Sequence, residues 1–309
     1  MQERLKELIM IPKDSLDGVI KDIKCNLVMP PNARIRFHYI QLQGGNVRVK
    51  DFLSVLQQGL IPYALPRDEA RATTYLTAPQ KIAEAREEYV RGENSGELGE
   101  LSLYMFLESK EEAPQILSKM SLKTSGNMHF HGSDAVHMKF NNDGSIILYL
   151  GESKAHKALD KSVKACLKSI NKFYFDELVD GRTQFDFDLK LIKQNMDVND
   201  EELKEFLQNL LNPWEGGKEN LYYVNACFIP FEVPQLNELN KQNFHEAESQ
   251  LQKLYEASMK EIIDDLTEML SKKNNKGLLF HFFFVPFPDV DTVKADFRKM
   301  LGYKGDNNE

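Results

Sequence analysis

The chain has 309 residues, 42% of them hydrophobic and 28% charged, and its net charge of −8 means that any binding to nucleic acid would need locally clustered lysines. Its three cysteines lie far apart without a Cys-x-x-Cys pair, which argues against a zinc site and against a disulfide framework. No segment has the pattern of a signal peptide or of a bilayer-spanning helix, so we expect a cytoplasmic protein that does not contact membranes.

The first part of the chain predicts a mixture of strands and helices. Residues 34–42 alternate between apolar and polar side chains and are rich in β-formers, which predicts a strand. Residues 49–59 and 79–90 have helical patterns, and a polar segment with two glycines (RGENSG) follows them. We therefore predict an N-terminal α/β region over residues 1–90, whose separate composition suits partner binding, and a second domain over residues 91–309.

The middle of the chain predicts a helix, a hairpin and a second helix. The first helix covers residues 97–109, and two strands follow at 134–140 and 145–150. The two strands are joined by Asn-Asn-Asp-Gly, a composition that is typical of hairpin turns. A long helix over residues 155–175 comes directly after the charged tetrad GESK at 151–154, so this tetrad lies at the end of a strand.

The last third of the chain predicts two buried strands separated by a helix. Residues 222–231 and 278–287 are almost continuously apolar, and an amphipathic helix over residues 238–273 lies between them. Strands of this kind, linked by helices, indicate a partly parallel sheet that is covered on both faces. The fold class that we predict is therefore α/β (α+β), with a mixed sheet flanked by helices.

Two acids and one lysine are predicted to meet at one edge of this sheet. Alternation along the second hairpin strand puts Glu152 and Lys154 on the same side, and the hairpin brings Asp134 to the same edge. Two neighbouring carboxylates repel each other unless a cation lies between them, and hard oxygen ligands suit Mg²⁺ or Mn²⁺. Beside such an ion, Lys154 could orient a water molecule, stabilise charge on a phosphate or act as a base. The pattern predicts hydrolysis of phosphodiester bonds.

A fourth acidic residue is expected from the helix that precedes the hairpin. Residues 101–107 (LSLYMFL) are apolar almost all round, so this helix is predicted to be buried and Glu100 to be a buried carboxylate that needs a partner. Glu97 is the rival candidate, and its alternative role is a capping-box pair with Asn94 at the start of the helix.

Three histidines lie close to the aspartate in the sequence, at His129, His131 and His137. We interpret them as surface or strand histidines rather than metal ligands. A substrate contact by His131 is the alternative that stays open.

The order of a helix glutamate, a strand aspartate and a Glu-x-Lys pair resembles the PD-(D/E)XK nucleases. More narrowly, the segments GELGEL, GESK and FFVPF resemble the HamA family, the nuclease subunits of the Hachiman anti-phage system. This resemblance covers about residues 90–300, and Ser133 stands where the superfamily motif has proline. The residues at the motif positions are Glu100, Asp134, Glu152 and Lys154.

The resemblance implies a restriction-endonuclease-like fold with an N-terminal α/β extension. It also implies a DNase that uses Mg²⁺ or Mn²⁺, with Asp134, Glu152 and Glu100 as metal ligands, and it implies no small-molecule cofactor. A partner helicase of the HamB type would hold this DNase in check until DNA is damaged or invaded.

Five lysines follow the Glu-x-Lys pair at helical spacing. At about 100° per residue they fall within one arc of the predicted helix, and apolar residues occupy the other side. Such an arc can be an ordinary solvated face, but this helix begins at the proposed metal site and bears few acids. We predict that the arc contacts DNA phosphates; its residues are Lys157, Lys161, Lys164, Lys168 and Lys172.

A second function remains open from the sequence. The protein could be a non-catalytic subunit that keeps a nuclease fold in order to bind DNA or a helicase. The complete set of three acids and one lysine argues against this alternative, because such groups are costly to keep in a site that has lost its activity. Binding of a divalent ion would separate the two functions.

Overall fold

A computed structural model describes residues 1–24, 27–90, 96–118, 132–212, 220–241 and 243–302. The strands are β1 (Ile20–Ile23), β2 (Ala33–Ile40), β3 (Leu42–Gln43), β4 (Asn46–Val47), β5 (Gln115–Leu117), β6 (Ala135–Phe140), β7 (Ile146–Ser153), β8 (Glu177–Val179), β9 (Arg182–Thr183), β10 (Leu221–Glu232) and β11 (Leu279–Phe287). The helices are α1 (Gln2–Lys6), α2 (Val49–Gln58), α3 (Leu60–Ala64), α4 (Arg67–Arg71), α5 (Ala78–Val90), α6 (Glu97–Ser109), α7 (Leu159–Phe175), α8 (Gln184–Gln194), α9 (Glu201–Leu210), α10 (Phe244–Ser271) and α11 (Val290–Met300). A 3₁₀ helix covers Pro234–Lys241.

One mixed sheet organises the molecule. Its seven strands have the order β1-β2-β11-β10-β7-β6-β5. The four central strands β2, β11, β10 and β7 run parallel to one another, and β1, β6 and β5 are antiparallel to their neighbours. This arrangement confirms the predicted α/β class and its partly parallel sheet.

Helices cover both faces of the sheet, as the nearly continuous apolar strands require. Helix α6 packs on one face, where Phe106 contacts Phe283 of β11 with their ring centroids 5.7 Å apart. Helices α7 and α10 cover the other face, where Val163 and Ile262 belong to the same apolar cluster as Phe282. Because the central strands are parallel, their carboxyl ends share one edge of the sheet, and β7 ends there with the Glu-x-Lys pair.

The long helix after this pair begins later than predicted. Helix α7 starts at Leu159 rather than near residue 155. The connecting segment instead continues beside β10, because Lys154 N donates to Phe228 O (3.3 Å) and Glu232 N donates to Lys157 O (3.1 Å). Backbone groups that bond to a neighbouring strand are not available for helical hydrogen bonds, so the helix forms only after this contact ends.

The N-terminal region contributes directly to the sheet. Strand β2 pairs with β11 along five residues, and β1 pairs with β2 at the edge. The predicted boundary falls beside residues 91–95, which lie outside the described residues, so the division into two domains stays a prediction. Within the described residues, none of the helices combines the length and the hydropathy needed to cross a bilayer.

Candidate functional site at the end of strand β7

The backbone brings Asp134 next to the end of β7. In the β6–β7 pair Ala135 lies opposite Gly151. Asp134, the residue before β6, therefore lies beside the last residues of β7. Asp134 N donates to Gly151 O (2.7 Å), and Ser153 N donates in return to the Asp134 side chain at Oδ2 (3.0 Å). The aspartate is therefore held beside the Glu152–Lys154 segment, as the hairpin geometry predicted.

Glu152 and Lys154 form an ion pair within this edge. Oε1 of Glu152 lies against the Lys154 ammonium, and Glu152 is only 8% exposed. Burial and the negative charge of Asp134 raise the pKa of Glu152 to about 7. Burial acts to lower the pKa of Lys154, but the carboxylates of Glu152 and Asp134 outweigh it, so this pKa is raised. The lysine is a stable cation beside two acids that repel each other.

Glu100 is buried in α6, as predicted, and its partner is a tyrosine. Tyr63 of α3 donates its hydroxyl to Glu100 Oε2 (3.0 Å). Burial raises the pKa of Tyr63 well above its ordinary value, and the charges of Glu100 and Asp134 raise it further. Tyr63 is thus hydrogen-bonded to Glu100 and lies within the electrostatic influence of Asp134. No local pattern points to Tyr63, because it lies 37 residues before Glu100 in the chain.

Two glycines allow α6 to approach β7 closely. A Cβ at Gly99 would overlap the side chain of Ser153, and a Cβ at Gly151 would lie 2.8 Å from Leu103 Cδ2. Both positions therefore need glycine if the helix that carries Glu100 is to lie directly on the strand. These glycines belong to the GELGEL and GESK segments.

Asp188 of α8 is a further buried acid at the site, and sequence reasoning missed it. Its Oδ2 accepts a hydrogen bond from Ser133 N (3.1 Å), and its Oδ1 accepts one from Gln184 Nε2 (2.7 Å). A Cβ at Gly132 would overlap this carboxylate. Asp188 therefore fixes the backbone turn that leads into Asp134. Its only signal in the sequence is an acidic residue on the apolar side of a helix.

A cleft of about 290 Å³ opens beside Glu152. It lies between the end of β7, the second half of α7 and the segment that leads into α8. Its polar lining includes Glu152, Ser169, Lys172, Gln184 and Asn225. Glu152 of the acid–lysine group and Lys172 of α7 both line this cleft, together with a second acid, Asp176.

Four of the five lysines predicted to share a helical face do so. Lys161, Lys164, Lys168 and Lys172 are exposed on α7. Lys157 precedes the helix, and its ammonium lies 2.9 Å from the carboxylate of Asp291 on α11. The prediction that Lys157 belongs to the helical arc was wrong, because the connecting segment follows β10 before α7 begins.

Glu97, the rival of Glu100, faces a different partner. It is buried, and its Oε2 lies 3.5 Å from Arg298 Nε on α11. Helix α6 has Gly96 as its N-cap, and the residue predicted to cap it, Asn94, lies outside the described residues. Of the two glutamates, Glu100 is the one that is hydrogen-bonded to Tyr63, whose pKa is raised by the charge of Asp134 as well.

His137 is a strand histidine, as predicted, and the structure places it in the core. His137 is fully buried with its Nδ1 2.8 Å from Ala113 O, and burial lowers its pKa to about 3, so the ring is neutral. His129 and His131 lie outside the described residues.

The donor set fits a magnesium-type ion better than an ion that needs many protein ligands. Among the described residues, no group of three or more His, Cys, Asp or Glu side chains has the geometry of a metal site. Mg²⁺, however, keeps several waters and is often bound through only one or two carboxylates. The Asp134–Glu152 pair matches this requirement, because the raised pKa of Glu152 reports a negative charge that a cation would offset.

These features define a mixed α/β protein with an acid–lysine site at the carboxyl edge of its sheet. The chain belongs to the HamA family, whose family model matches residues 13–301 of 309. Membership of this family associates the protein with Hachiman antiviral defence and with the partner proteins of that system. The match begins long before residue 90, where no motif had shown a resemblance. A search of curated proteins gave no match.

Proposed function

We propose that this protein is a metal-dependent deoxyribonuclease that hydrolyses phosphodiester bonds. We further propose that it is the effector of a two-component Hachiman-type system in which a partner helicase controls its activity. The observation that carries the proposal is the group of Asp134, Glu152 and Lys154 at one sheet edge, beside a cleft.

The three residues divide the chemistry between them. Asp134 and Glu152 would hold the divalent ion, which, when bound, supplies an activated water and offsets negative charge on the phosphate. In the metal-free protein, the carboxylates of Glu152 and Asp134 raise the pKa of Lys154 and favour its protonated form. A protonated lysine is suited to stabilise the charge that develops on the phosphate oxygens. Glu100, which accepts a hydrogen bond from Tyr63 on the α6 side of the sheet, is the remaining candidate for a metal ligand.

The exposed lysines of α7 support nucleic acid as the substrate. Lys172 lines the cleft, and Lys161, Lys164 and Lys168 extend along the same helix away from it. Only Lys164 among these four has an ion-pair partner among the described residues, in Asp160 at 3.0 Å. Exposed lysines in a row can neutralise successive phosphates despite the negative charge of the whole protein.

The proposal is tested by a DNA-degradation assay on the purified protein, with and without its partner helicase and with Mg²⁺, Mn²⁺ or a chelator. We expect cleavage to need the ion and to fall by about 10³-fold or more in Lys154→Ala and Glu152→Gln. Lys253→Ala is the matched control, because Lys253 is an exposed lysine on α10, away from the site. Cleavage by both site variants at the parental rate would contradict the proposed site.

A non-catalytic role is the second candidate. It is favoured by the Glu152–Lys154 ion pair, in which the two charges already offset each other. Calorimetry distinguishes the candidates, because a non-catalytic subunit would bind no divalent ion and cut no DNA under any condition.

A further inference from the structure

A groove of about 440 Å³ lies between α7, α10 and the end of β10. Its apolar surface consists of the partly exposed side chains of Leu159, Val233 and Met269, which lie over buried core residues such as Val163 and Phe231. The groove lies near the candidate site, because Glu232 at its rim donates its backbone N–H to Lys157 O in the segment that follows Lys154. Its volume is in the range of pockets that hold a ligand of several side chains.

The rim of this groove is acidic on all sides. It carries four carboxyl groups, those of Asp160, Glu232, Glu261 and Asp265. No lysine, arginine or histidine lines the groove in the part of the chain that the structure describes. Asp160 pairs with Lys164 at its outer side, and Glu232 Oε2 accepts a hydrogen bond from Val290 N (3.3 Å). Glu261 and Asp265 are exposed on successive turns of α10, without an ion pair to any described residue.

An apolar surface surrounded by carboxylates favours a ligand that has both apolar and positively charged groups. Lysine and arginine side chains bury their methylene stems on apolar surfaces and keep the charged group at the edge, where carboxylates can meet it. DNA is disfavoured by the same rim, because its phosphates and these carboxylates have the same sign. Amphipathic helices bind apolar grooves in this manner in many protein complexes.

We propose that this groove binds a basic amphipathic segment of a protein partner. Apolar and basic residues of that segment would lie on Leu159, Val233 and Met269, with its ammonium and guanidinium groups against the acidic rim. The proposal is independent of DNA cleavage, because none of the groove residues belongs to the acid–lysine site.

The probe for this proposal is a synthetic 16-residue helical peptide with leucines at spacings of three and four and lysines and arginines beside them. Fluorescence anisotropy would measure its dissociation constant for the full chain. We expect Glu261→Lys combined with Asp265→Lys to weaken binding at least tenfold, because two attractions become repulsions. The matched control is Asp264→Lys combined with Glu268→Lys, which makes the same change of charge on the same helix outside the groove.

Further measurements separate the groove from a general attraction between opposite charges. A peptide with serine in place of leucine should bind at least tenfold more weakly, and Met269→Ser, in the groove wall, should weaken binding of the leucine peptide. Both double variants should cut DNA as the parent does, so a loss of peptide binding is distinguishable from a loss of nuclease function.

Three outcomes would overturn the proposal. The first is equal weakening by the control and groove variants, and the second is equal binding of the serine and leucine peptides. The third is a concentration-dependent dimer that the Glu261→Lys and Asp265→Lys changes abolish, which would assign the groove to a second copy of this chain.

Discussion

Two buried glutamates, Glu111 and Glu152, lie on opposite faces of the same sheet and have opposite electrostatic surroundings. The Glu111 side chain is 1% exposed and lies 2.7 Å from Lys139 Nζ, 2.9 Å from an Arg36 nitrogen and 3.2 Å from an Arg34 nitrogen. Burial acts to raise its pKa, but the surrounding cations, with His281 beside them, outweigh burial and lower it. One carboxylate is therefore the shared ion-pair partner of three permanent cations.

Glu152 has the reverse balance of charge. It and Asp134 share one nearby ammonium, that of Lys154, and the pKa of Glu152 rises to about 7. A buried acid with surplus cations is already satisfied and stabilises the fold. A buried acid with a surplus of carboxylates instead favours binding of a proton or a metal ion, which is the state expected of a functional group. Burial alone does not separate structural acids from functional ones, whereas the sign of the surrounding charge does.

The largest effect expected from this contrast is on stability. We expect Glu111→Gln to lower the free energy of unfolding by about 3 kcal/mol or more, because the largely buried Arg36 and Lys139 would lose the partner that they share with the more exposed Arg34. Glu152→Gln, an identical chemical change, should leave stability unchanged or higher at pH 8 without metal, because it removes a repulsion. Urea unfolding of the two variants and the parent measures both values. Equal losses of unfolding free energy in the two variants would contradict the proposed difference between Glu111 and Glu152.

The two acids should also give opposite dependences on pH. Glu152 binds its proton more tightly in the folded protein, so it contributes stability that is present below about pH 4.5 and lost as the pH rises towards about 7. A pKa rise from 4.5 to about 7 corresponds to a loss of about 3 kcal/mol in the absence of metal. Glu111 has a lowered pKa, so its contribution is present above about pH 4.5 and lost as the pH falls below that value.

Unfolding free energies of the chelated protein between pH 4 and pH 8 measure both dependences. Subtracting the Glu152→Gln curve from the parental curve isolates the neutral-pH component, and Glu111→Gln isolates the acidic one. Saturating Mg²⁺ should reduce the Glu152 component, because the ion replaces the proton as the partner of the carboxylates. A parental curve parallel to that of Glu152→Gln would show that Glu152 titrates normally.

The sequence predicted best what depends on local spacing. The helix over residues 97–109 has the predicted bounds, and the predicted hairpin correctly placed Glu152 beside the start of β6, which Asp134 directly precedes. The late start of α7 was missed because hydrogen bonds to β10, more than 70 residues away in the chain, hold the preceding segment.

The charge balance around the two glutamates could not be predicted from local patterns. The partners of Glu111 come from β2 and β6, and Arg34 lies 77 residues before it. Tyr63 and Asp188 likewise reach the candidate site from other parts of the chain. Spacing shows which side chains share a face, but the sheet order decides which charges meet.

The smallest effect that we predict concerns how Asp134 is held. The Asp188 carboxylate accepts the N–H of Ser133, the residue before Asp134, and so we expect Asp188 to act as a positioning residue. We expect Asp188→Ala to raise the Mg²⁺ concentration for half-maximal cleavage by about tenfold, equivalent to about 1.4 kcal/mol, while the rate at saturating Mg²⁺ changes less. Asp188→Asn should recover most of this loss, because an amide oxygen can accept the same hydrogen bond. If Asp188 only stabilised the fold, the alanine variant would lower the melting temperature but leave the Mg²⁺ dependence of the folded protein unchanged.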